Sequence, residues 1–254
     1  MALMLTSSRH RAILARLRAD GEVQVPELAQ TFGVSESTIR RDLDTLGSDG
    51  LVLRVRGGAR AGGEPDDDPF GTVVTQSAPL KEAVAARAAE LVRDGDVVLL
   101  DIGTTTSRIA RRLAERRITV ITSSLAVVDE LRESLTVDLV ILGGAYRRSY
   151  LSLVGTLTEN ALAELRATVC FLSTSGVSSG GQVMDTTGLE VPVKRAMLAA
   201  SERRVLVADR DKFPGSGLLR VAGPEEFTTI ITNAGATPAT LARFTEAGTE
   251  VITA

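Results

Sequence analysis

The sequence predicts an α/β protein built in two parts. A small winged helix-turn-helix occupies residues 1–60, residues 61–79 form a linker, and a doubly wound, mostly parallel α/β domain runs over 80–254. Three observations predict this. The first 60 residues hold three short stretches with helical apolar spacing and then an alternating, arginine-bearing stretch. Residues 61–79 mix Gly and Pro with the acidic run Asp66–Asp68, as a solvated linker does. From Lys81 onward, short continuous apolar runs alternate with helical patterns, as buried parallel strands and their crossover helices do.

In the first part, "SSRHRAILARLRADG" places Ile13, Leu14 and Leu17 on one helical stripe closed by Gly21. Pro26 suits the first turn of a second helix, in which Leu28, Ala29 and Phe32 face inward before Gly33 ends it. Ser35 is placed to cap a third helix, "ESTIRRDLDTL". Ile39, Leu43 and Leu46 must face the core there, which leaves Ser37, Thr38, Arg40 and Arg41 outward on the N-terminal half. That half of such a helix enters a major groove, where arginine binds guanine edges or phosphates. "LVLRVRGGAR" then predicts a β wing turning at Gly57-Gly58, with Arg54 and Arg56 on its polar face, placed to touch DNA backbone.

The charge distribution agrees weakly. Residues 1–60 carry nine arginines against seven acidic residues, a net +2, so a total of −3 leaves −5 on the rest. Cys170 and His10 are the only residues of their types, which excludes an internal disulfide and nearly excludes histidine triads and Cys/His metal sites. His10 reads as a solvated residue at a helix start. No cofactor and no metal are expected. The apolar runs are too short to span a bilayer, and no leader pattern opens the chain, so no membrane partner and a cytoplasmic location are expected.

In the second part the stretch "VLLDIGTTTSRIARRL", residues 98–113, runs apolar to Asp101, turns on Gly103 and enters a helix through three threonines. Doubly wound sheets bind ligands at the carboxyl ends of their strands. Several strand ends here carry Gly or hydroxyl residues: Asp101–Gly103–Thr104–Thr105–Thr106, Thr122–Ser123–Ser124, Gly143–Gly144 and Ser173–Thr174–Ser175–Gly176, followed by Asp209 and Lys212. Such ends suit a polyoxygenated anion. There is no G-x-G-x-x-G after the first strand and no G-x-x-x-x-G-K-[ST], so neither a dinucleotide site nor a P-loop is expected.

Residues 27–59, "ELAQTFGVSESTIRRDLDTLGSDGLVLRVRGGA", resemble the winged helix of the DeoR family of bacterial transcriptional regulators. Arg56 stands where the family often has histidine. The second part resembles that family's sensor domain through "LDIGTTT", "VITSSL", "ILGG", "EVPVKRAM" and "VADRDKF". The resemblance implies a fold similar to ribose-5-phosphate isomerase and CoA transferases, and a phosphorylated sugar or related metabolite as effector. It also implies that Asp101, Gly103, Thr104, Thr105 and Thr106 cradle the phosphate, that Ser123, Ser124, Gly143, Gly144 and Gly176 line the pocket, and that Lys81, Glu190, Lys194, Asp209 and Lys212 are its charged groups. Ser173–Gly176 and Asp211–Pro214 depart from the family pattern. The residues alone also allow Glu190 and Lys194 to be a simple i, i+4 helix pair.

The function expected is a DNA-binding regulator, a repressor of sugar or carbohydrate genes, acting as a homo-oligomer (dimer or tetramer) on double-stranded operator DNA, with no catalytic residues. Two alternatives stand beside it: a sugar-phosphate isomerase carrying a DNA-binding head, and a regulator whose second part only oligomerises.

Overall fold

The computed structural model describes residues 6–48, 52–55, 57–61, 70, 74 and 76–254. Arg56 and Asp66–Asp68 lie outside the described residues. The chain divides into two compact units, Met1–Asp67 and Asp68–Ala254.

The first unit holds α1 (Thr6–Asp20), β1 (Glu22–Gln24), α2 (Val25–Phe32), α3 (Glu36–Ser48), β2 (Val52–Val55) and β3 (Gly58–Ala61). Gly33 ends α2 at φ 63°, a left-handed cap whose amide reaches the carbonyls of Ala29 and Gln30. Ile13 and Leu17 of α1, Leu28 of α2, and Ile39, Leu43 and Leu46 of α3 meet in one buried core. The wing is a three-stranded antiparallel sheet in the order β1-β3-β2. The short β1, between the first two helices, was not expected.

The second unit is built on seven parallel strands in the order β15-β14-β12-β9-β4-β5-β6. These are β4 (Val97–Leu100), β5 (Ile118–Thr122), β6 (Val137–Ile141), β9 (Ala167–Leu172), β12 (Ser201–Val207), β14 (Thr229–Thr232) and β15 (Glu250–Thr253). Alternate residues serve opposite faces. Val98, Leu100, Val120, Val169, Phe171, Val205 and Ile231 pack with α4 (Ala78–Ala89), α5 (Thr104–Leu113) and α6 (Leu125–Leu131). Leu99, Ile121, Cys170, Leu172, Leu206 and Ile230 pack on the other face with α7 (Thr156–Ala163), α8 (Glu190–Ala199) and α9 (Pro238–Glu246). Where the strands are buried on both faces they are apolar, as in β4, in Val169–Leu172 of β9 and in Val205–Val207 of β12; the outer strands β6 and β15 and the start of β12 are more exposed and carry Asp138, Glu250, Glu202, Arg203 and Arg204.

Two small antiparallel sheets were not anticipated. One is the hairpin β7 (Ala145–Arg147) and β8 (Ser152–Val154); the other has the order β10-β11-β13, from Gly176–Val177, Val183–Asp185 and Leu219–Ala222. No helix among the described residues is long and apolar enough to cross a membrane.

Candidate functional site

From β4 the chain steps outward to β5 and β6; from β9 it steps the opposite way, to β12, β14 and β15. The boundary between the adjacent β4 and β9 is therefore a topological switch point, where loops leave the sheet in opposite directions and where such sheets bind ligands. Asp101 follows β4 and Ser173 follows β9, so the "DIGTTT" turn stands at that boundary.

The turn is held rigidly. Asp101 is 1 % exposed, and its Oδ2 accepts from the Ser173 amide at 2.9 Å, the Ser173 hydroxyl at 2.8 Å and the Lys194 ammonium at 2.6 Å. Gly103 has φ 125° and ψ 169°, a conformation essentially reserved for glycine. A Cβ there would stand 3.1 Å from Ser173 Oγ. Gly103 precedes α5, and Thr104, Thr105 and Thr106 form its buried first turn. Thr106 donates its hydroxyl to the Gly103 carbonyl and Ser107 to that of Thr104. The hydroxyls of Thr104 and Thr105 remain as donors beside the first-turn amides. Those amides lack intrahelical acceptors and sit at the positive end of the helix dipole.

Lys81 on α4 is buried on the same face of the sheet. Burial lowers its pKa, opposed by the Asp209 charge and reinforced by Lys212 and Arg108. Asp209 caps a 3-10 turn at Arg210–Lys212, accepting from the Asp211 amide at 3.1 Å. One face at the carboxyl edge thus combines a helix N-terminus, two hydroxyls and the lysines 81 and 212.

The opposite face carries a dense network of paired charges. Lys194, 2 % exposed, directs its ammonium at Asp101, at the Ser173 carbonyl (3.0 Å) and at Asp185 Oδ2 (3.4 Å). It also lies 3.3 Å from Ser173 Oγ, so an ammonium with three donors is surrounded by acceptors. Burial lowers its pKa, but the charges of Asp101 and Asp185 outweigh that and raise it well above the usual lysine range. Glu190 bonds not Lys194 but Arg147 on β7, together with Thr187 and, at 3.4 Å, Ser152. The i, i+4 pairing that the sequence allowed is not formed. Lys194 and Glu190 are engaged internally instead of presenting open charges to a pocket. Ser123 is buried at the end of β5 and its hydroxyl makes no hydrogen bond; Ser124 caps α6, accepting from the Val127 amide at 3.3 Å.

The glycines have different reasons. A Cβ on Gly144 would collide with Thr158 and the Val154 backbone, and one on Gly176 with the Ser216 backbone. Both mark close chain approaches within the fold. Gly143 has open space beside its Cα.

In the first unit, Ser35 caps α3 through the Thr38 amide at 3.2 Å, and its hydroxyl is within 2.8 Å and 2.9 Å of those of Ser37 and Thr38. Arg40 and Arg41 are both exposed, with Arg40 paired to Glu36 at 2.7 Å. Arg54 does not extend from the wing: it bonds Asp44 of α3 at 2.9 Å and the Gly58 carbonyl at 2.7 Å, bracing wing to helix. His10 is not simply solvated. It meets Asp42 Oδ1 at 3.0 Å, and Asp42 also takes a two-bond fork from Arg9 at 2.5 and 2.9 Å. This cluster joins α1 to α3 and was missed, because an Arg and an Asp 33 residues apart carry no local pattern. Arg147, Ser152, Asp185 and Thr187 were missed likewise; they sit on the two small sheets and their loops.

Comparison with known proteins follows the same division. Residues 9–63 match the DeoR-like helix-turn-helix domain, and residues 76–234 match the DeoR C terminal sensor domain. The L-fucose operon activator of Haemophilus influenzae is 31% identical over 226 residues, 89% of this chain and 91% of that protein. The glycerol-3-phosphate regulon repressor of Escherichia coli K12 is 28% identical over 232 residues, 91% of this chain and 92% of that protein. Among solved structures, ribose 5-phosphate isomerase A from Methanocaldococcus jannaschii is 19% identical, with 54% of this chain and 55% of that chain covered at a TM-score of 0.41.

Proposed function

Because this chain belongs to the DeoR family of transcriptional regulators, we propose that it binds operator DNA through residues 1–60 and that a small phosphorylated sugar, held at Thr104–Thr106, changes that affinity. The observation that carries the effector reading is the buried first turn of α5. Its free amides, two hydroxyls and the helix dipole converge at the switch point, with Lys81 and Lys212 on the same face. A phosphate dianion complements each of these. The sugar's hydroxyls would meet the small polar residues at the neighbouring strand ends, Ser123 among them. We assign the chain to repression of carbohydrate genes, in the cytoplasm, as a dimer or tetramer.

A sensor needs only a difference in affinity between two states. An isomerase needs a carboxylate or other base aimed at the substrate. Asp101, Asp185 and Glu190 already take their hydrogen bonds from Lys194, Arg147 and neighbouring hydroxyls, which supports sensing over turnover.

The test uses purified full-length chain. Random duplexes are selected for binding, and the selected duplex is then titrated with and without a panel of sugar phosphates and the matching unphosphorylated sugars. At least one phosphorylated sugar is expected to shift the duplex affinity, and its unphosphorylated partner is not. Equal responses to both would remove the phosphate from the reading, and no thermal stabilisation by any anion would favour a body that only oligomerises.

A further inference from the structure

The two edges of the seven-stranded sheet are finished differently. At β15 the exposed positions are Glu250 and Thr253, polar groups of the kind that blunt an edge. At β6 they are Asp138, Val140 and Ile141, with Val140 38 % and Ile141 50 % exposed. The backbone of β6 is open as well. Every second residue of a parallel strand bonds a given neighbour, and the Leu142 amide donates to the Thr122 carbonyl of β5 at 2.9 Å. Asp138 and Val140 share that parity, so Leu139 and Ile141 turn their N–H and C=O groups away from the sheet. Among the described residues no hydrogen bond reaches those groups. The Val137 amide points the same way but already donates to Ser134 Oγ at 3.2 Å.

The apolar surface continues past the strand. The Thr158 hydroxyl donates to the Gly143 carbonyl at 2.6 Å, which fixes the start of α7 beside the chain leaving β6. Leu157, next to Thr158, and Tyr146 on β7 are both exposed. A pair of five-residue strands covers less than the about 800 Å² per partner of a standard interface, and these two side chains enlarge the patch.

We propose that β6 is the surface through which two copies of this chain associate, edge to edge, into one continuous sheet. The inference rests on the homo-oligomer reading above and locates its interface. Identical edges related by a two-fold axis run antiparallel. The open groups then select the register. With Val140 on the axis opposite its own mate, Leu139 lies opposite Ile141 of the second copy, and the two residues exchange both N–H···O=C bonds. Every outward group of Leu139 and Ile141 is then used, and the Val137 amide keeps Ser134. An axis at Asp138 would set two carboxylates face to face, which is unfavourable. An axis at Leu139 would call on the Val137 amide, which is taken. The edge therefore matches itself in bonding groups, charge and apolar side chains at once, and this points to a second copy rather than a foreign strand.

The experiment is sedimentation of the full-length chain over a concentration series, for wild type and Ile141→Lys, with cross-linking of Val140→Cys alongside. Lysine is an ordinary residue on a free edge, but in a paired one its charge is covered. Wild type is expected to sediment as an even-numbered oligomer. Ile141→Lys is expected to raise the dissociation constant about tenfold or more, a factor of ten being about 1.4 kcal/mol. Val140 and its mate form a non-hydrogen-bonded pair with Cα atoms about 4.5 Å apart, inside the roughly 4.4–6.8 Å that a disulfide spans. Oxidised glutathione is therefore expected to join Val140→Cys into a covalent dimer, while the native Cys170 is buried and gives no background. Leu135→Cys, at a fully exposed position outside the paired strand, is expected not to cross-link. A monomeric wild type would overturn the oligomer reading and this interface with it. An oligomer whose Val140→Cys form does not cross-link, or cross-links no better than Leu135→Cys, would overturn the interface and leave the oligomer standing. A folded Ile141→Lys chain that assembles as wild type does would do the same, and if that variant does not fold the cross-link alone decides.

Discussion

Replacing Lys194 by methionine tests the buried network that holds the "DIGTTT" turn. Lys194 is 2 % exposed and Asp101 1 %, so neither charge can turn to water when its partner leaves. Methionine fills most of the lysine's volume, so the cavity contribution is small. What remains is two carboxylates facing each other, Asp101 kept by Ser173 alone and Asp185 by Ser175 and the Thr186 amide. Removing one member of a buried ion pair costs about 3–5 kcal/mol, since the other charge stays uncompensated. For a unit of this size each kcal/mol moves the midpoint by about 2–4 °C, so a loss of about 6–20 °C is expected. The assay is thermal unfolding followed by tyrosine fluorescence. The chain has no tryptophan and its two tyrosines, Tyr146 and Tyr150, both lie in the second unit, so the signal reports that unit alone. Adding Asp101→Asn removes one orphaned charge while keeping an acceptor for Ser173, and is expected to restore part of the loss through non-additive coupling. A single variant within about 1 kcal/mol of wild type, or a double variant showing no recovery, would refute the reasoning; the scale is set by typical ion-pair deletions.

Arg41→Ala is expected to weaken operator binding by about 1–3 kcal/mol and relax specificity at one base pair, as measured by titrating matched and single-mismatch duplexes. The first unit is expected to lose stability in acid. Burial raises the Asp42 carboxyl, but the Arg9 and His10 bonds outweigh it and hold the pKa below the usual range. A depressed carboxylate contributes stability that is present above its unfolded pKa of about 3.9 and lost as pH falls through the lower folded value. Circular dichroism of a 1–67 fragment against pH checks this, and an Asp42→Asn fragment should lack that acid step. Phosphate affinity is expected to fall on the alkaline side before ordinary lysines titrate near about 10.4, because burial lowers Lys81. Calorimetry across that range checks the sign, and Lys81→Met should flatten the profile.

The reach of the sequence followed the range of the patterns it used. Ile39, Leu43 and Leu46 sort α3 into faces by spacing alone, and the buried side is the predicted one. The parallel strands were legible because strands covered on both faces must be continuously apolar, as "VVLL" and "VCFL" are. Strand order was not legible, and it is the order that puts β4 beside β9 and so Asp101 against Ser173. The hydroxyl-rich strand ends were read as sharing one edge; that the Asp101 and Ser173 ends are direct neighbours was not legible. The pairings of Lys194 went unseen for the same reason, since Asp101 lies 93 residues away. The small sheets were missed because their strands are two to four residues long, too short for alternation to show. Arg54 was placed on the correct strand, but its bond to Asp44 depends on how the wing folds back on α3.

The most direct measurement is calorimetric titration of wild type and Thr105→Ala with the sugar phosphate that gives the largest shift in the panel. The Thr105 hydroxyl is one of two donors left at the first turn of α5, so its loss removes a charge-assisted hydrogen bond worth about 1.5–3 kcal/mol. Effector affinity is expected to fall roughly tenfold to a hundredfold, while operator affinity without effector stays at the wild-type value. Equal effector affinity in the two proteins would contradict the claim that this turn holds the phosphate, and would leave "GTTT" as no more than a capped helix start.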